Sequence, residues 1–74
     1  MALDEAAAAL AERLGDLLAE RGLTADDLAG VAGIDVGRLG RLLSGDRRAF
    51  PCPRELHRIA ATLGEPVAAL FARE

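Results

Sequence analysis

The sequence predicts an all-α fold, a compact bundle of five helices that forms a single domain over residues 1–74. Apolar residues recur every three to four positions, which is the spacing of a buried helix face. Helix-capping residues and glycines divide the chain into short segments, and no stretch alternates as a strand does. A chain of 74 residues, 51% of them hydrophobic, suffices for one small core.

The first segment predicts a helix over residues 3–21. Its leucines fall on one helical stripe, and Gly22 follows as a C-terminal stop. The stripe consists of Leu10, Leu14, Leu17 and Leu18. This helix is therefore expected to pack one face against the rest of the domain.

Two further helices are predicted near the C-terminus, after a loop of residues 46–52. Pro53 and Pro66 stand at their starts, where a missing N–H costs nothing, and Glu55 suits the first turn. The predicted helices span residues 53–63 and 66–72. Their apolar faces consist of Leu56, Ile59, Ala60 and Leu63 in one and Val67, Leu70 and Phe71 in the other.

The stretch from Gly22 to Gly45 predicts two short helices joined by a tight turn. Thr24 and Asp35 are suitable N-caps, because their side-chain oxygens accept unpaired helix N–H groups. Gly33 and Gly45 are suitable stops. The predicted helices span residues 25–32 and 36–44. Helices this short need neighbours to be stable, and two of them joined by a short glycine turn are typical of a helix-turn-helix.

Two stretches carry a resemblance to a known family. They read GLTADDLAGVAGIDVGRLGRLLSGDRR, beginning at Gly22, and PRELHRIAATLGEPVAALF, beginning at Pro53. With the preceding helix, the chain from Leu14 to Phe71 resembles the Cro/CI-type (XRE family) helix-turn-helix repressors, which have a lambda-repressor-like DNA-binding domain. The resemblance implies a sequence-specific, repressor-like transcriptional regulator whose helix 36–44 lies in the major groove of double-stranded DNA.

The same resemblance implies roles for individual residues. Val36, Gly37 and Arg41 would occupy the base-reading positions. Arg41 would bond guanine through two hydrogen bonds, Val36 would contact a thymine methyl group, and Gly37 would admit a close backbone approach. The expected contacts to the DNA backbone are Arg38, Ser44, Arg47, Arg48 and Arg54.

Charge is distributed unevenly along the chain, whose net charge is −3. Residues 1–34 hold seven acids and two arginines, a net charge of −5. Residues 35–58 hold six arginines and three acids, a net charge of +3, and residues 59–74 add −1. Positive charge is therefore concentrated where the resemblance places the DNA phosphates.

A second function class fits other residues. Ala25 stands where the family often has a phosphate-binding glutamine, and Asp26 and Asp27 would repel a phosphate at that helix start. The alternative is therefore a protein-binding adaptor, antitoxin or antirepressor module that keeps the fold but does not bind DNA strongly.

A homodimer is expected on DNA, because one domain of this size makes few contacts and two half-sites raise the affinity. The last helix or the alanine-rich residues 6–10 would supply the dimer surface. No enzymatic activity, cofactor or metal is expected, since Cys52 and His57 form no ligand set and no catalytic pattern is present. No signal peptide or membrane span is expected, which suggests a cytoplasmic, nucleoid-associated protein.

Overall fold

The computed structural model describes residues 2–72, which form four α-helices and two short 3₁₀ helices, with no strand in this range. The helices are α1 (Leu3–Arg21), α2 (Ala25–Ala32), α3 (Val36–Leu43) and α4 (Pro53–Leu63), and the 3₁₀ helices are Arg47–Ala49 and Val67–Phe71. The all-α prediction is confirmed for these residues. Met1, Arg73 and Glu74, which the predicted domain includes, lie outside the described residues.

The fifth predicted helix, residues 66–72, is a 3₁₀ helix rather than an α-helix. This segment has five residues, between Pro66 and the extended Ala72. Its backbone hydrogen bonds join residues three positions apart, such as the one from the Ala69 N–H to the Pro66 carbonyl at 2.9 Å. This tighter form suits very short pieces. The third helix ends one residue earlier than predicted, at Leu43, and the predicted loop contains the other 3₁₀ helix.

The predicted caps of α2 and α3 are confirmed. Thr24 Oγ1 accepts from the Asp27 N–H at 3.1 Å, and the Asp27 carboxylate accepts from the Thr24 N–H at 3.0 Å. Asp35 Oδ2 accepts from the Arg38 N–H at 3.0 Å. Gly33 ends α2 with a φ of 70°, a left-handed conformation that favours glycine. Only three residues therefore separate α2 from α3.

The core is built from leucine, isoleucine and alanine side chains contributed by all four α-helices and both 3₁₀ helices. Its largest fully buried members are Leu10, Leu14, Leu17, Leu28, Leu39, Leu42, Ile59 and Leu70. No charged or polar residue of the described range is buried. The result is a compact unit of 28 × 25 × 20 Å. Between residues 2 and 72, no helix is long and apolar enough to cross a membrane.

The buried face of α3 generates a stability prediction. Leu39 is fully buried, whereas Val36 on the same helix is 50% exposed. We expect Leu39→Ala to lower the free energy of unfolding by about 2–5 kcal/mol, because it leaves a cavity in a small core. Val36→Ala should change it by less than about 0.5 kcal/mol. Urea denaturation followed by circular dichroism measures both, and equal losses would contradict the assignment of the two faces.

Candidate nucleic-acid interface

The three predicted base-reading residues lie together on the exposed face of α3. Val36, Gly37 and Arg41 are all exposed, and so is Gly40 between them. Leu39 and Leu42 on the same helix are buried. One face of α3 is therefore part of the core. The other is open to a ligand, and two of its positions, Gly37 and Gly40, have no side chain.

Gly37 leaves room for two charged groups at the start of this face. A Cβ atom at position 37 would lie 3.2 Å from Oδ2 of the capping residue Asp35, tighter than an ordinary contact. It would also lie 4.0 Å from Nη1 of Arg41. The Arg41 side chain thus extends back along the helix towards Gly37. It makes no hydrogen bond or ion pair with residues 2–72, so its N–H donors are open to a ligand.

Three arginines that follow α3 in the chain, Arg47, Arg48 and Arg54, have exposed side chains with few contacts. Arg47 Nη1 lies 3.5 Å from Oδ1 of Asp4, and Arg48 Nε donates to Oδ1 of Asp46 at 3.2 Å. Arg54 is exposed, and its side chain has no hydrogen-bond or ion-pair partner in the described part of the chain. The Arg47–Asp4 ion pair is exposed on both sides and contributes little to stability, so a phosphate group can replace its carboxylate at small cost.

Local hydrogen bonds shape the turn that carries these arginines. The Arg48 backbone N–H donates to Asp46 Oδ1 at 2.9 Å, and this bond holds the pKa of the Asp46 carboxyl below its usual value. Asp46 thereby caps the 3₁₀ helix Arg47–Ala49. Ser44, another predicted backbone contact, donates its hydroxyl proton to the Arg41 carbonyl at 2.7 Å. The Ser44 hydroxyl proton is therefore already donated within the protein, at the C-terminal end of α3.

Arg38 has a different environment from the other predicted backbone contacts. Its guanidinium donates to both carboxylate oxygens of Glu55, with Nη2 2.6 Å from Oε1, and Nη2 also lies 3.3 Å from the Phe50 carbonyl oxygen. The Arg38 side chain is 31% exposed and that of Glu55 is 18% exposed. Glu55 Oε1 further accepts from the Cys52 N–H at 3.0 Å. We call these four residues the Arg38–Glu55 cluster.

The cluster strongly favours the ionised form of Glu55. The Arg38 guanidinium lowers the pKa of the Glu55 carboxyl from 4.5 to about 2, with a further contribution from the Cys52 N–H. Hydrogen bonds to a carboxylate that also faces a cation stabilise its charged form. The same pairing raises the pKa of Arg38. The pair therefore remains charged at neutral and mildly acidic pH.

Sequence reasoning missed this cluster in part. Glu55, three residues after Cys52 at a helix start, has the spacing of a capping box, and that signal was available. The contact between Arg38 and Glu55 joins residues 17 positions apart and has no local signature. It becomes visible only once α3 and α4 are placed in the fold.

A groove along α1 contains none of the predicted base-reading or backbone-contacting residues. It is lined by Ala9, Glu12, Arg13, Asp16, Ala19, Glu20 and Ala72. Arg13 is fixed there by a hydrogen bond from Nε to the Ala69 carbonyl at 3.2 Å. Within residues 2–72, no group of three or more His, Cys, Asp or Glu side chains is placed to hold a metal ion.

Comparison with known proteins identifies no relative of this chain. No family model matches the chain, and neither the curated proteins nor the solved structures give a match.

The pKa of Glu55 generates a pH prediction. Its pKa in the folded protein is below the usual 4.5, so the cluster stabilises the fold fully above about pH 5 and progressively less as the pH falls towards 2. We expect Glu55→Gln to be less stable than the parent near pH 7, with the difference shrinking below about pH 4.5. Urea denaturation at a series of pH values measures this difference.

The matched control is Asp16→Asn, which removes one exposed carboxylate that has no hydrogen-bond or ion-pair partner among residues 2–72. Its stability difference from the parent should be small at every pH. A Glu55→Gln difference that stays constant down to about pH 3 would show that the carboxylate charge does not stabilise the fold.

Proposed function

We propose that this protein is a sequence-specific DNA-binding transcriptional regulator of the repressor type, in which α2 and α3 act as a helix-turn-helix. The observation that carries the proposal is the outer face of α3, where the Arg41 guanidinium makes no hydrogen bond or salt bridge with residues 2–72 and lies beside small, exposed residues. A helix with such a face fits the major groove, because its backbone approaches the bases closely. The resemblance to Cro/CI-type repressors supports the same function.

Three exposed residues of α3 have distinct roles in this proposal. Arg41 donates two hydrogen bonds to O6 and N7 of a guanine, which discriminates against other bases by about 1–3 kcal/mol. Val36, which is half exposed, contacts the methyl group of a thymine. Gly37 adds no side-chain contact and keeps the first turn of α3 near the base edges.

The arginines outside α3 supply affinity rather than sequence preference. Arg47, Arg48 and Arg54 are exposed and belong to the turn and helix that follow α3. In binding phosphates they would release condensed counterions, so the affinity should fall steeply with salt. Their local positive charge acts against a net charge of −3 for the whole chain.

We propose that the operator-bound form is a homodimer, since two half-sites one helical turn apart give a small domain useful affinity. Of the segments predicted to form the dimer surface, Ala7, Leu10 and Leu70 are fully buried within one chain. Phe71, which is partly exposed, and Leu3, which is 49% exposed, remain as apolar side chains at the surface near these segments.

The second candidate function is that of a protein-binding module. Val31, which follows the exposed Gly30 on α2, is 73% exposed, more than Leu3 or Val36, and its side chain is available to a protein partner. The first turn of α2 is also acidic, with Asp26 and Asp27. The Asp27 carboxylate accepts a hydrogen bond from the backbone N–H of the cap residue Thr24. A carboxylate at a helix N-terminus takes the place that a phosphate would use.

A binding experiment separates the two functions. Random duplexes are selected on the purified protein, and the selected sequence is compared with a scrambled duplex by fluorescence anisotropy at two salt concentrations. Preference for the selected sequence, with affinity that falls steeply with salt, supports a DNA regulator. No binding even at low salt, together with a stoichiometric protein partner, supports the protein-binding module.

Two arginine substitutions should have different effects on DNA binding. Arg41→Ala should weaken binding to the selected sequence by about tenfold or more and relax the preference at one base pair, because a bidentate contact is lost. Arg54→Gln should weaken binding to all sequences alike and lower the slope of log affinity against log salt by about one. Anisotropy titrations with matched and single-substituted duplexes measure both effects.

The assignment of Arg41 as the base-reading residue would be wrong if Arg41→Ala kept the full sequence preference. Leu42 on the same helix is not a suitable control, since it is buried. Arg54→Gln is suitable, because it also removes one exposed arginine, but from α4 rather than α3. It should keep the sequence preference that Arg41→Ala loses.

A further inference from the structure

The Arg38–Glu55 cluster separates Arg38 from the arginines proposed to bind phosphate. The guanidinium of Arg38 donates three hydrogen bonds within the protein, to Oε1 and Oε2 of Glu55 and to the Phe50 carbonyl. Arg47 and Arg48, in contrast, have exposed side chains with one carboxylate each nearby. The same residue type therefore serves two purposes on neighbouring parts of the surface.

We propose that Arg38 and Glu55 are positioning residues for DNA binding and not DNA contacts. Together they hold the loop between α3 and α4, and the first turn of α4, so that Arg47, Arg48 and Arg54 face the phosphates. This inference rests on the proposed function and assigns to Arg38 a role other than the phosphate contact that the sequence resemblance implies.

The geometry of the loop supports this role. Arg38 lies on α3, the Phe50 carbonyl lies at the end of the loop, and Glu55 lies in the first turn of α4, so one guanidinium joins three segments. Ala49 is buried in the core and fixes the loop between the arginines and the cluster. Phe50 also packs on Phe71, with ring centroids 6.2 Å apart. The loop that carries Arg47 and Arg48 is thus held by several contacts.

The charge of the cluster opposes a phosphate contact by Arg38. A phosphate could bond this guanidinium only by displacing hydrogen bonds to Glu55, whose side chain is 18% exposed. The displacement would leave a partly buried carboxylate without its cation and next to a second negative group. Exposed arginines such as Arg54 bind a phosphate without this cost.

The test compares two replacements of Arg38 with a phosphate-contact control. Arg38→Lys keeps the positive charge but cannot form the two-point bond to Glu55, whereas Arg38→Gln removes the charge as well. Arg54→Gln serves as the phosphate-contact control. Glu55→Gln and the double variant Arg38→Gln, Glu55→Gln complete the set, and Asp16→Asn gives the effect of losing one carboxylate. Affinity for the selected duplex is measured by anisotropy over a range of salt, at a temperature where circular dichroism shows every variant folded.

If Arg38 is a positioning residue, Arg38→Lys and Arg38→Gln should both weaken DNA binding by about three- to tenfold, because the position of the loop relative to α3 and α4 is then less defined and must be fixed on binding. The slope of log affinity against log salt should match the parent, whereas Arg54→Gln lowers it by about one. Glu55→Gln should weaken binding by a similar factor, and the double variant should bind no worse than the single ones, since all remove one interaction.

Two results would overturn the inference and leave the proposed function intact. One is an Arg38→Lys variant that binds like the parent while Arg38→Gln loses about one unit of salt slope, which identifies a phosphate contact. The other is a Glu55→Gln variant that binds more tightly than Asp16→Asn, which would show that Glu55 only withholds Arg38 from DNA. A parent protein that binds no duplex at low salt overturns the proposed function itself, and this inference with it.

Discussion

The structure depends on one constraint, which is that α2 and α3 have only eight residues each. Helices of this length do not persist alone in water, so their conformation is imposed by packing. Leu28 on α2 and Leu39 and Leu42 on α3 are fully buried and join these helices to α1 and α4. The caps at Thr24 and Asp35 fix where each helix begins, and the leucines fix how it lies.

Outside the apolar core, polar interactions define the local geometry. The core of residues 2–72 holds no polar side chain, so directional bonds are confined to helix ends and the surface. The Arg38–Glu55 cluster is the best connected of these sites, because it joins a helix, a loop and the start of the next helix. Apolar packing in the core stabilises the fold but is not directional. The hydrogen bonds of the cluster are directional, and they fix the geometry beside the candidate interface.

Most of the fold follows from local sequence signals. The bounds of α1, α2 and α4 agree with the prediction, because their caps, glycine stops and leucine spacing act within a few residues. The exposed and buried faces of α3 follow from its helical period in the same way. The five residues after Pro66 form a 3₁₀ helix because so short a segment closes tighter turns, a preference that the apolar pattern does not encode.

The candidate site was less predictable than the fold. The resemblance named its members, but the four arginines expected to contact the DNA backbone gave no indication of different roles. The distinction between Arg38 and Arg54 comes from Glu55, which the fold brings next to one and not the other. Long-range pairs of this kind depend on how α3 and α4 are packed, and one sequence contains no direct signal for that.

The division of α3 into two faces has an evolutionary consequence. Leu39 and Leu42 maintain the fold, while Val36, Gly40 and Arg41 project away from it. Mutations on the outer face therefore carry little penalty in folding, and under the proposed function natural selection can change DNA preference there while the scaffold stays constant. A family of such domains would diverge first at these three positions, and its members would share leucines long after they had ceased to share targets.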